Sequence, residues 1–368
     1  MQERNVIQFP GSPESSPSAP LSHPMKTICY RGLLGGPRSM GKVGAFLVAH
    51  LLARPHYRVH FWPWSNDFMQ DYWEESINRI VISSPEGLGI EQSIAFCSVV
   101  NAGDEHWAPQ STVWLYYELN TVPPEVVDAI NSNDHVYVTS SFVQRIFAEH
   151  GVVAPMTVLG NGFDPQHYPY VQRTRGKEFV FLCIAEHTSR KNLPVLVQCF
   201  ERAFEQVQDV RLVLKLGLHR GEDIRRHITR PDKVTVRTGL LLKEHDVAAL
   251  YGQAHCFVLP TRAESFGMPI LEALATRSPV IVTNYSGHLD FCTEANAYLI
   301  NTRGWVDSDP ECFPHIQRQW ADPDPEHLIH LLRHVYYNYD EALTKGQAGH
   351  RTAHADWTWD KQLARVFP

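Results

Sequence analysis

Along most of the chain, short continuous apolar runs alternate with stretches whose apolar positions recur at helical spacing. The runs at 26–30, 57–62, 79–83, 94–99, 112–117, 135–139 and 156–159 read as strands of a first half. Those at 178–184, 211–216, 234–237, 255–260, 280–283 and 297–300 read as strands of a second. Between them, 41–54, 124–132, 141–150, 193–207, 244–252, 269–276 and 325–337 carry helical patterns. Apolar strands without in–out alternation, separated by amphipathic helices, predict parallel sheets covered on both faces. There are too many strands for one comfortable sheet. A polar, turn-rich seam at 161–178 therefore divides two doubly wound α/β domains, with a linker near 165–177. In such sheets ligands bind beyond the carboxyl ends of the strands, so two of them face to face would form a cleft.

Composition changes this picture little. The 368 residues suffice for about two domains. Apolar residues at 43% and charged residues at 20% are ordinary for a globular protein. A net charge of −7 gives no global pull towards nucleic acid or anionic membrane. No run reaches the roughly 18 apolar residues of a membrane span, and no secretory leader opens the sequence. The seven cysteines are scattered and mostly set in apolar runs, which predicts reduced, buried thiols and a cytoplasmic protein. Residues 1–24 are rich in Pro and Ser and read as a disordered tail.

Two motifs carry chemistry. In "CFVLPTRAESFGMPILEALATRSPVIVTNYSGHLDF" (256–291), a strand leads through a loop into a helix that Pro269 can open, since the first helical N–H has no partner to lose. Glu264 stands in the loop and Glu272 is placed in the first turn of that helix, whose N–H groups suit an anion. In "VFLCIAEHTSRKNLPVLVQCF" (180–200), Arg190 and Lys191 stand where another helix begins. Fixed cations and helix N–H groups of this kind suit an anionic ligand.

The Glu-x7-Glu pair around Ser265-Phe266-Gly267-Met268-Pro269 resembles the signature of the family 4 (group 1) retaining glycosyltransferases of the GT-B fold. The segments 116–152, 158–168, 320–336 and 356–367 resemble other parts of that family. The resemblance implies two Rossmann-like domains facing across a cleft, with a C-terminal helix crossing back to the first. It divides the chain into a tail at 1–24, an acceptor-side domain at 25–168, a donor-binding domain at 169–352 and a crossover helix at 353–368. It implies that Glu264 contacts the transferred sugar and that Glu272 binds the ribose. The backbone N–H groups of Phe266, Gly267 and Met268, after Ser265, would face sugar and phosphates, with Lys191 on the diphosphate. The family's usual Arg aligns with Glu186 here, and Arg190 is the substitute cation. Glu118 is either a sugar-binding group near the family's cleft-facing His or half of a buried salt bridge.

The implied activity is metal-independent transfer of a hexose, of mannose or glucose type, with retention. The donor would be a nucleotide-diphosphate sugar such as GDP-mannose or UDP-glucose. The acceptor hydroxyl would belong to a glycan, a lipid, a protein or modified nucleic acid, with the enzyme peripheral at a membrane in the lipid case. Two other readings stay open: a non-catalytic nucleotide-sugar-binding protein, suggested by Glu186, and a P-loop NTPase. The second rests on "GPRSMGKV" (36–43), which fits G-x-x-x-x-G-K-[ST] except at Val43, where the Mg²⁺-binding hydroxyl is missing. On the family reading, Gly35 and Gly36 instead let backbone approach the donor phosphates, and Lys42 is a helix residue. Arg31 and Arg38 are surface residues by default, while His106 and Trp107 are candidates for the acceptor side.

Overall fold

A computed structural model describes residues 24–34, 39–64, 79–98, 102–103, 107–217, 224–238, 244–309 and 318–368. Residues 1–23 of the N-terminal tail, Gly35, Gly36, Arg38 and His106 lie outside the described residues.

The chain divides into two compact units. The first contains β1 (Lys26–Gly32), α1 (Ser39–Leu52), β2 (Tyr57–Pro63), β3 (Gln92–Ser98), β4 (Gln110–Tyr116), α2 (Pro124–Asn131), β5 (His135–Val138), α3 (Ser141–Glu149) and β6 (Met156–Val158). Its strands pair in the order β2-β1-β3-β4-β5-β6, all parallel. The run expected to be a strand at 79–83 contributes a single parallel bridge, Val81 to Phe61, on the free edge of β2.

The second unit contains β7 (Phe179–Ala185), α4 (Leu193–Ala203), β8 (Val210–Leu216), β9 (Val234–Arg237), α5 (Glu244–Gln253), β10 (Cys256–Leu259), α6 (Met268–Ala275), β11 (Val280–Thr283) and β12 (Tyr298–Ile300). An antiparallel pair follows, β13 (Thr302–Asp307) with β14 (Gln319–Pro323). Then come α7 (Pro325–Tyr337) and α8 (Tyr339–Asp356). The parallel sheet runs β12-β11-β10-β7-β8-β9. Renumbered from its first strand this is 3-2-1-4-5-6, the doubly wound order, and its direction reverses between β7 and β10. Right-handed crossovers leading opposite ways from that point put helices on both faces.

The last helix, α9 (Trp359–Ala364), belongs to the first unit, as do the residues that end the chain. The Trp359 ring stacks on Phe46 of α1 at 5.0 Å, and Phe367 packs its ring against Tyr137 of β5. The carbonyl of Phe367 bonds the buried His50 Nε2 at 2.8 Å.

Three boundaries differ from the sequence reading. The segment that returns to the first unit begins at Trp359 and not at 353, because Ala353–Asp356 end α8 and the second unit runs to Thr358. Residues 162–168 fall in the second unit, because Phe163 bridges Thr358 and the buried Tyr168 packs on Tyr251. Glu118–Thr121 also group with the second unit, through the contacts described below. The β13–β14 pair was not anticipated. The long α8 was also missed, because it packs through small residues rather than an apolar stripe. A Cβ on Gly346 would stand 2.6 Å from the Arg277 carbonyl, and one on Gly349 would stand 2.4 Å from Leu274 Cδ2.

Candidate active site

The site gathers at the carboxyl ends of β7 and β10, where the strand order reverses. After β7 the chain passes Glu186, His187 and Thr188 into a 3₁₀ turn, Ser189–Lys191. Asn192 then takes a left-handed conformation (φ 58°) and starts α4. Asn tolerates that geometry better than most residues. After β10 comes the loop Pro260–Gly267, and after β11 the turn Asn284–Gly287.

Hydrogen bonds tie the three loops together. The Arg262 N–H donates to the Arg190 carbonyl at 2.8 Å, and Arg262 Nη1 donates to the Ser189 carbonyl at 2.9 Å. Glu264 is fixed through its backbone on both sides: its N–H donates to Ser286 Oγ at 2.8 Å, and its carbonyl accepts from the Gly287 N–H at 2.9 Å. Ser286 holds a positive φ of 82° to reach that position.

The carboxylate of Glu264 is thereby delivered to the cations of the other loop. Lys191 Nζ lies 2.5 Å from Glu264 Oε1, and Arg190 Nη1 lies 3.4 Å from the same oxygen. Arg190 Nη2 reaches Glu118 Oε1 at 3.3 Å, while its Nη1 also donates to the Ala263 carbonyl at 2.6 Å. Lys191 and Glu264 are both buried. Burial alone would raise the Glu264 carboxyl, but Lys191 and then Arg190 hold it down to about 2. Burial pulls the Lys191 ammonium below its ordinary value, with Glu264 opposing the pull. Arg190 is raised despite its burial, because Glu118 and Glu264 both face it. The result is two cations interleaved with two carboxylates.

Gly267 separates this cluster from α6. Its φ is 96°, and a Cβ there would meet His288 Cβ at 3.1 Å and Ile270 Cδ1 at 3.2 Å. Only glycine fits both the conformation and the space. The fully buried His288 bonds the Thr283 carbonyl through Nε2 at 2.7 Å. A carbonyl only accepts, so Nε2 carries the proton. The ring of Phe266 packs on Phe291 and Trp357, which anchors the loop in the core. Ser265 and Met268 are buried beside it.

Helix α6 begins at Met268, one residue before the sequence suggested, so Pro269 is its second residue. Glu272 accordingly lies in the second turn, not the first. Its buried carboxylate accepts a hydrogen bond from Tyr251 Oη at 3.0 Å.

Of the remaining candidates, Glu118 forms the ion pair just described, and Asn120 beside it accepts from the Gln319 N–H at 2.9 Å. Glu186 stands apart from the cluster. Its carboxylate fills the space where Gly217 lacks a Cβ, within electrostatic reach of Lys215. Arg190 is therefore the arginine that reaches the cluster. Val43 is fully buried in the first unit's core, so the P-loop hydroxyl position faces apolar packing. In that same unit Arg31 lies over Trp62 at 4.2 Å and Trp64 at 4.7 Å, and Trp107 meets Trp62 edge-on. Arg31 and Trp107 thus share one aromatic cluster. Ser286 and His288 stand out in the sequence only as part of Asn284-Tyr285-Ser286-Gly287-His288, which follows a strand end opposite the glutamate pair, and Tyr251 carries no motif of its own.

Residues 168–307 match the family described as Glycosyl transferases group 1. No curated protein matches the chain by sequence. Among solved structures, sucrose-phosphate synthase from Thermosynechococcus elongatus superposes with a TM-score of 0.70 at 16% identity, over 93% of this chain and 97% of that one. A glycosyltransferase from Rickettsia africae gives 0.68 at 13% identity, over 93% and 97%. HepE of Anabaena, solved with UDP and glucose, gives 0.66 at 15% identity, over 93% and 98%. The fold is GT-B, with two Rossmann-like units. Among the described residues, no helix is long and apolar enough to cross a membrane.

Proposed function

On the premise that the second unit carries a group 1 glycosyl transferase domain on a GT-B fold, we propose that this protein is a family 4-type retaining hexosyltransferase. Its donor is a nucleotide-diphosphate sugar of mannose or glucose type. The observation that carries the reading is the 2.5 Å Lys191–Glu264 pair at the switch point of a doubly wound sheet. A cation that can turn to a diphosphate and a carboxylate that can turn to a sugar are held in one place.

Transfer is front-face. The bond from the anomeric carbon to the β-phosphate oxygen breaks, and the acceptor oxygen bonds that carbon from the same side. The acceptor proton passes to the departing phosphate oxygen. Lys191 and Arg190, with the N–H groups of Phe266, Gly267 and Met268, stabilise the charge that grows there. Glu264, already an anion, stabilises the oxocarbenium-like sugar, with Glu118 as a second carboxylate on Arg190. Glu272 takes the ribose. No divalent metal is required, since side-chain cations do its work. That HepE was solved with UDP and glucose supports a donor of this class. The acceptor is a hydroxyl of a glycan, lipid, protein or modified nucleic acid.

The test is a thermal-shift panel of UDP, GDP, ADP and their common sugars, with and without Mg²⁺, followed by an assay for donor hydrolysis or transfer. A ligand at 100 times its dissociation constant stabilises the fold by about 2.7 kcal/mol. A metal-independent shift with one diphosphate, together with turnover, is the expected result. Binding without any turnover would favour the second reading, a non-catalytic nucleotide-sugar-binding protein, suggested by Glu186 standing in the sequence where the family's usual Arg aligns. A shift with ATP and Mg²⁺ alone would overturn both.

A further inference from the structure

Helix α5 lies between β9 and β10 and has no part in the motif, yet one of its side chains reaches into the site. Tyr251 is fully buried. Its ring is held edge-on by Tyr168 at 5.9 Å and lies against Phe257 of β10 at 5.8 Å. Between them these contacts aim the hydroxyl at the start of α6. There the one proton of Tyr251 Oη is shared between two acceptors, the Pro269 carbonyl and Glu272 Oε2, each 3.0 Å away.

A carboxylate that grips two vicinal hydroxyls must present both oxygens in one plane, and a glutamate has three torsions to fix before it can do so. A hydrogen bond from a rigid donor to one oxygen fixes that plane in advance, which lowers the ordering cost at binding. Tyr251 is such a donor, because its ring cannot turn without breaking two aromatic contacts. We infer that Tyr251 is a positioning residue that sets the Glu272 carboxylate for the ribose diol of the donor. This deepens the function proposed above and rests on it.

The probes are UDP and GDP, each beside its 2′-deoxy and 3′-deoxy analogue, titrated calorimetrically against the full chain. The wild type should prefer the ribose form of whichever nucleotide binds. Tyr251→Phe keeps both ring contacts and removes only the hydroxyl. It should cut that preference about tenfold, the scale of one hydrogen bond to a charged group, while leaving affinity for the deoxy analogues unchanged. Glu272→Ala should abolish the preference, and adding Tyr251→Phe to it should change nothing further.

Equal weakening of ribose and deoxy forms in Tyr251→Phe would mean a merely structural role and overturn the inference, as would an undiminished preference. Should that variant fail to fold, Glu272→Asp draws the carboxylate back from an intact tyrosine. It should lose the preference too, and its retention there would also overturn the inference. The underlying reading fails separately, by a wild type without preference or by a preference that survives Glu272→Ala.

Discussion

Lys191 Nζ and Glu264 Oε1 stand 2.5 Å apart although they lie 73 positions apart in the chain. Both are buried, and each arrives on the loop after a different strand of one sheet. Breaking a buried pair by removing one partner leaves the other charge desolvated and uncompensated, which typically costs about 3–5 kcal/mol.

Lys191→Met should therefore do two things. It should lower the urea midpoint, since Glu264 is left with the longer 3.4 Å ion pair to Arg190 and a hydrogen bond from Thr261. On the proposed mechanism it should also lower kcat about 10²- to 10³-fold, the usual effect of removing one group that stabilises developing negative charge. Rates at saturating donor give the second figure. An unchanged kcat would remove Lys191 from the reaction.

The same pair fixes the response to acid. The folded Glu264 carboxyl titrates near 2, against an ordinary value of 4.5. A depressed carboxyl contributes stability above its unfolded value and loses it as pH falls through the folded one. The contribution should thus be complete above about pH 4.5 and fade from there towards pH 2. Urea melts of wild type and Glu264→Gln, taken at several pH values, should differ by a constant amount above that window and converge within it. A gap that stays constant on acidification would contradict the assignment.

Gly267→Ala should destabilise by about 1–3 kcal/mol, the range for a non-glycine residue held at a left-handed backbone position. The added methyl would also press on His288 and Ile270. Because the loop bearing Glu264 ends at Gly267, donor affinity should fall along with the melting temperature. A variant as stable as wild type would show that the loop relaxes freely.

Trp359→Ala tests how the first unit depends on the end of the chain. The ring is buried and stacked on Phe46, and losing a buried tryptophan costs about 3–5 kcal/mol. Hydrogen exchange should accelerate in the first unit, around α1 and β5, and little around β7 and β10. Uniform acceleration would mean that the two units unfold as one.

Much of this protein was legible in its sequence. Continuous apolar runs such as 280–283 mark strands because a parallel strand buried on both faces admits no polar alternation. Glu264 and Glu272 stood out because a short ordered string surrounds them, and Arg190 with Lys191 because they open a helix. Local chemistry of this kind is written within a few residues. The strand at 79–83 failed to form beyond one bridge because a strand needs a partner along its length, and its own sequence does not supply one. The helix 339–356 escaped notice because its buried face, Tyr339, Ala342, Gly346, Gly349 and Ala353, keeps helical spacing but is built mostly of small residues. Tertiary structure alone decided that Lys191 meets Glu264, that Glu186 turns away to Gly217, and that Tyr251 reaches Glu272. Each is a distance between distant parts of the chain, set by the order of strands in the sheet and the loops that order brings together.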